Sequence, residues 1–153
     1  MTFIRSALAA LALAAPVAAA PIVATAQEPI TREVEGSFDD IAAAVESAIV
    51  NAGLVIDSRS YVGDMLARTK EDVGGEKDIF TQADVFTFCS ATVSREVMER
   101  DVQNLQFCPY SIFVYETPDA PNKVVIGHQD YAERGVPEIN ALLDPIMEEA
   151  ASW

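Results

Sequence analysis

110-YSIFVYETPDAPNKVVIGHQ-129 holds two dense runs of β-branched and aromatic residues, Tyr110 to Glu116 and Lys123 to Gln129, on either side of Thr117-Pro118-Asp119-Ala120-Pro121-Asn122. Each run has the length and composition of a strand. The linker contains two prolines with an Asp and an Asn, which is turn chemistry, so the pair is predicted to form a hairpin. A hairpin near the C-terminal end of the chain sets the class: a sheet with antiparallel pairing, into which the flanking segments must fit.

Downstream, Pro137 to about Ala150 places Ile139, Leu142, Leu143, Ile146, Met147 and Ala150 on one helical face, with Pro137 suited to the first turn. Pro145 lacks the N–H that would bond to Ala141, and a kink is expected there. Upstream, strand character at Asp84 to Cys89 (Val85, Phe86, Phe88) yields to helix between Thr92 or Ser94 and Leu105, with Met98, Val102 and Leu105 as its apolar edge. Further back, Leu54 to Val62 suits a strand, and Gly63-Asp64 a break that caps a short helix through Met65, Leu66 and Ala67. Lys70 to Asp84, with Gly74-Gly75, is an exposed loop. Near the start, Ile30 to Glu35 alternates as a short strand. Ser37 followed by Asp40 marks a helix N-terminus, Phe38, Ile41, Val45, Ala48 and Ile49 its buried stripe, and Gly53 its end. The expected fold is α+β: a single domain with about five strands, antiparallel or mixed, and helices packed on one face.

The first residues follow a different logic. Arg5 precedes an apolar run from Ala7 to Ala15, and Ala24-Thr25-Ala26 supplies a small-x-small site before Gln27. That order is expected of a secretory signal over residues 1–26, leaving 27–153 as the mature domain. Pro16 and Pro21 interrupt the apolar run, which falls short of the ~20 residues of a membrane span. A periplasmic or secreted protein is expected, with no membrane insertion after signal removal.

The chain carries a net charge of −14, and removing Arg5 with the signal makes it −15. Such a surface repels phosphate backbones, so nucleic acid is excluded as an expected partner. An unknown protein or small ligand, or a second copy of the chain in a homodimer, is left. No catalytic constellation is found: no G-x-S-x-G, no phosphate-binding glycine loop, no C-x-x-C and no H-E-x-x-H. His128 is the single histidine and is expected to be a surface or hydrogen-bonded strand residue. One histidine and two distant cysteines are too few ligands for a closed metal site within one chain, and no cofactor is expected.

Cys89 and Cys108 are the only cysteines. In an oxidising compartment they suit a structural disulfide closing a loop of 19 residues, worth about 3 kcal/mol in the chain-entropy model. Geometry objects, because about 12 helical residues span about 18 Å, whereas bridged Cα atoms lie within about 7 Å. Two separate buried thiols, or a functional pair that is redox-responsive or binds a soft metal, stay open beside the disulfide.

Val62-Gly63-Asp64-Met65-Leu66-Ala67-Arg68-Thr69, Phe88-Cys89-Ser90-Ala91 and Phe107-Cys108-Pro109-Tyr110 with the strand that follows together resemble the DUF302 family, over about Ile30 to Gln129. Many members have Asn-Pro after the first cysteine and Pro-Cys at the second, where this chain has Ser90-Ala91 and Cys108-Pro109. The resemblance implies a compact α+β domain related to the TATA-binding-protein-like fold, often dimeric, with no established reaction and no catalytic residue to carry over.

Overall fold

The computed structural model describes residues 28–153; the expected signal over 1–26 and its flank Ala24, Ala26 and Gln27 lie outside them. Strand β1 (Ile30–Glu35) leads into helix α1 (Phe38–Asn51). Strand β2 (Val55–Tyr61) runs directly into α2 (Val62–Thr69), and β3 (Gln82–Cys89) is followed by α3 (Ala91–Arg100) and a 3₁₀ segment (Val102–Phe107). The hairpin β4 (Tyr110–Glu116) and β5 (Lys123–His128) then leads through a short 3₁₀ turn (Ala132–Arg134) to α4 (Pro137–Ala151). The strands form one sheet in the order β1-β5-β4-β3-β2, with every neighbouring pair antiparallel. The fold is therefore α+β, and the sheet is wholly antiparallel. It is open: β1 and β2 are its edges.

Period-two alternation assigns the two faces of the sheet. Phe86 and Phe88 of β3, Tyr110, Ile112 and Val114 of β4, and Val124 and Ile126 of β5 are each fully buried. They meet Ile41, Val45, Ala48 and Ile49 of α1 and Ile139, Leu143, Ile146 and Met147 of α4 in one core. These helical positions repeat at three and four residues, so each helix turns one continuous stripe onto the sheet.

Local chemistry supports the element ends. The Ser37 hydroxyl accepts from Asp40 N at 3.2 Å and donates to the Asp40 carboxylate at 2.6 Å, capping α1. Gly53 takes φ +76° just beyond its end. Helix α4 runs unbroken across Pro145. Both Pro145 and Ala141 are exposed, so the carbonyl left without its amide partner faces solvent. One correction concerns the segment after Cys89. The expected helix to Leu105 ends at Arg100, because Asp101 adopts extended backbone (φ −153°, ψ 121°) and its carboxylate accepts from Gln103 N at 2.9 Å to start the 3₁₀ segment. Val102 and Leu105 consequently face outward, 79% and 63% exposed, and Val97 takes the core position. No break separates β2 from α2, where Gly63 instead lies so close to Ala83 N that a Cβ would stand 2.7 Å from it.

Candidate functional site

The break at Asp101 answers the geometric objection to bridging. With the helix shortened, the 3₁₀ segment brings Cys108 back to the end of β3, and Cys89 and Cys108 form a disulfide with Cα atoms 6.2 Å apart. Cys89 is the last residue of β3, and Cys108 lies two residues before β4. Because β3 and β4 are adjacent, the bond ties the end of one strand to the approach of its neighbour. Both cysteines are half-buried. Ser94 of α3 places its Oγ 3.8 Å from Cys108 Sγ and 2.9 Å from the Tyr110 hydroxyl. Burial raises the pKa of Tyr110, which the hydrogen bond to Ser94 partly offsets, so the phenol stays protonated. Sequence reading found neither Ser94 nor Tyr110: a serine one turn into a helix and a tyrosine opening a strand have no spacing that links them.

His128 is not a surface residue. It is fully buried and hydrogen-bonded, with Nδ1 donating to the Gln129 carbonyl at 2.7 Å and Nε2 3.0 Å from Asp144 Oδ1 on α4. Tyr131 stacks beside it at 6.4 Å. Below it, buried Asn140 accepts from Tyr131 N at 2.8 Å and donates to Asp130 at 2.8 Å. That bond, with one from Ala132 N, lowers the Asp130 pKa. Burial raises that of Tyr131. This network joins the end of β5 to α4, and its polar groups are all engaged. At the other edge, Arg59 grips the buried Asp84 carboxylate through Nε at 2.8 Å and Nη2 at 2.7 Å while lying over the Phe86 ring. A buried acid paired in this way is structural. Among the described residues, no three His, Cys, Asp or Glu side chains converge as a metal site.

The second feature is the outer face of the sheet, opposite the helices. Register puts Val85, Phe113 and Gly127 in one row and Ala83, Tyr115 and Val125 in the next. Phe113 and Tyr115 stack with centroids 6.0 Å apart, and Phe80 from the loop before β3 meets Tyr115 at 5.4 Å. Gly127 is required here: a Cβ would collide with the Phe113 ring and stand 2.9 Å from the Ile30 carbonyl. Val85, Phe113, Tyr115 and Val125 are half-buried. Charge lies beside Val125, where Glu33 pairs with it across to β1 and Glu35 with Lys123 of β5. Beyond Phe80 a cavity of about 80 Å³ lies between α2 and the loop 70–81, too small for an ordinary ligand.

The family model for "Domain of unknown function DUF302" matches residues 30–151. The chain belongs to the DUF302 family. The match runs past Gln129 through α4, so the family domain includes the C-terminal helix. A solved structure, the uncharacterized conserved protein DUF302 from Bacillus stearothermophilus, is 14% identical in sequence and superposes with a TM-score of 0.59 over 81% of this chain and 93% of its own. At that identity the likeness shows a shared DUF302 fold and nothing of activity. No curated protein matches the chain.

Proposed function

We propose that this DUF302 domain is an exported accessory domain that binds protein without transforming a substrate, using the outer face of its sheet, with a second copy of the same chain as the occupant. The observation that carries the reading is that face itself: aromatic, half-buried and turned away from α1 and α4, with α2 and Phe80 packed at its Ala83–Tyr115 end. The chain is acidic, so two copies repel over most of their surfaces. Phe113 and Tyr115 carry no charge, and Glu33 beside Val125 is paired with Lys123 at 3.9 Å, so this is where like-charged molecules approach at least cost. Two sheets meeting there stack about 10 Å apart, and a two-fold axis lets one patch serve both sides. The order of residues 1–26 supports export, as does a pair of bridged cysteines, which persists in oxidising compartments.

Sedimentation of the purified protein tests this. The parent is expected as a dimer at micromolar concentration, and Tyr115→Glu as a monomer with the parent's circular dichroism. A parent that stays monomeric across that range overturns the reading.

A further inference from the structure

The disulfide sits at the rim of the molecule. Cys89 pairs in register with Val55, the 77% exposed first residue of the edge strand β2, beyond which no strand lies among the described residues. Cys108 N donates to the carbonyl of the exposed Leu105 at 3.1 Å. Exposed apolar side chains therefore flank a half-buried bond on both sides, whereas the neighbouring Phe88 and Tyr110 are fully enclosed.

On the protein side, the sulfur of Cys108 has a polar partner. A disulfide sulfur carries no proton and can only accept, so the two contacts of Ser94 fix a direction: Tyr110 O–H donates to Ser94 Oγ, and Ser94 O–H donates to Cys108 Sγ. A thiolate left at Cys108 would keep that donor and gain from it, since hydrogen bonds to an ionised acceptor are stronger than to a neutral one. Cys89 immediately precedes Ser90, the N-cap of α3, whose hydroxyl accepts from Val93 N at 3.3 Å. The positive end of that helix lies nearest Cys89, so the choice of Cys108 as the departing sulfur rests on the Ser94 donor.

We propose that Cys89–Cys108 is a thiol–disulfide exchange site, reduced by a dithiol protein through attack on Cys89, with Cys108 as the leaving group held by Ser94. The partner's thiolate forms a bond to Cys89 Sγ. The Sγ–Sγ bond breaks, and its electron pair leaves on Cys108, which then takes a proton from solvent. The partner's second thiolate attacks its own sulfur in the mixed disulfide, closing the partner's disulfide and releasing Cys89 as a thiolate, which takes the second proton. Two electrons and two protons pass from the partner to this chain. Attack falls on Cys89 because exchange is faster when the departing sulfur is the better stabilised one, and the donor is at Cys108. The site is independent of the outer sheet face and stands whether or not the chain dimerises.

The test uses the purified oxidised protein without denaturant. Glutathione is added, the reaction is quenched in acid, and the mixed disulfide is located by peptide mass spectrometry. Glutathione is expected on Cys89, with Cys108 free to alkylate. In parallel, dithiothreitol is expected to reduce Ser94→Ala about fivefold more slowly than the parent, the loss of one hydrogen bond at the leaving sulfur. Ser94→Thr, which keeps the hydroxyl, is expected to retain the parent's rate. Glutathione on Cys108 or spread over both sulfurs, equal rates for the three proteins, or a bond that resists dithiothreitol until the chain unfolds would each overturn the proposal. Should Ser94→Ala fail to fold, the site of glutathione on the parent decides alone.

Discussion

Asn140 is the single residue on which the junction of β5 and α4 turns. Its side chain occupies the donor of a buried backbone amide, Tyr131 N, and at the same time fixes the Asp130 carboxylate. Asn140→Ala leaves that amide buried without a partner and is expected to cost about 1–3 kcal/mol, read as a lowered denaturant midpoint. It also alters the acid limb of stability. Asp130 has its pKa lowered, first by Asn140 and next by Ala132 N. A lowered folded-state pKa contributes stability that is complete above the ordinary carboxylate range, about 4, and lost as pH falls through the folded value. Without Asn140, stability should therefore fall less steeply below that range. Denaturant melts of parent and variant at a series of acidic pH values check both parts; parallel curves would remove Asn140 from the role. Nothing in the sequence marks this residue. It stands on a helix position that periodicity leaves polar, and its value comes from Tyr131, which lies on another element.

The segment from Cys89 to Cys108 shows the same limit one level up. Its sequence has a helical period as far as Leu105, and a straight helix of that length cannot close a disulfide. The residue that resolves the conflict is Asp101, whose side chain bonds to a nearby backbone amide and offers the chain a turn in place of another helical residue. Met98, Val102 and Leu105 look like one stripe in sequence, yet Val102 and Leu105 lie beyond the break and face solvent. The bridged segment predicts its own mutants. Cys89→Ala is expected to destabilise the domain by about 2–5 kcal/mol, and Cys89→Ala with Cys108→Ala to be about as unstable as either single change, because both remove one bond. Denaturant melts with and without reductant read this out. Additive losses, with a parent indifferent to reductant and carrying free thiols, would mean that the bond does not form in solution.

At the scale of the whole molecule, the prediction concerns where the chain begins to be a domain. The proposed export predicts that intact mass of the protein recovered from the periplasm or medium places its first residue at Gln27; retention of residues 1–26 would refute that reading. The fold class, the stripes of α1 and α4, the Ser37 cap, the hairpin and the DUF302 resemblance were all legible in sequence, because each depends on residues close together along the chain, where period and turn chemistry act. Tertiary structure decided the rest. Strand order, the pairing of Cys89 with Cys108, the enclosure of His128 against Asp144, the contact of Ser94 with Tyr110, and the aromatic face left open opposite the helices all join residues distant in sequence. Their positions follow from packing two helical stripes onto one face of a five-stranded sheet, and no local pattern encodes which side chains that packing brings within reach.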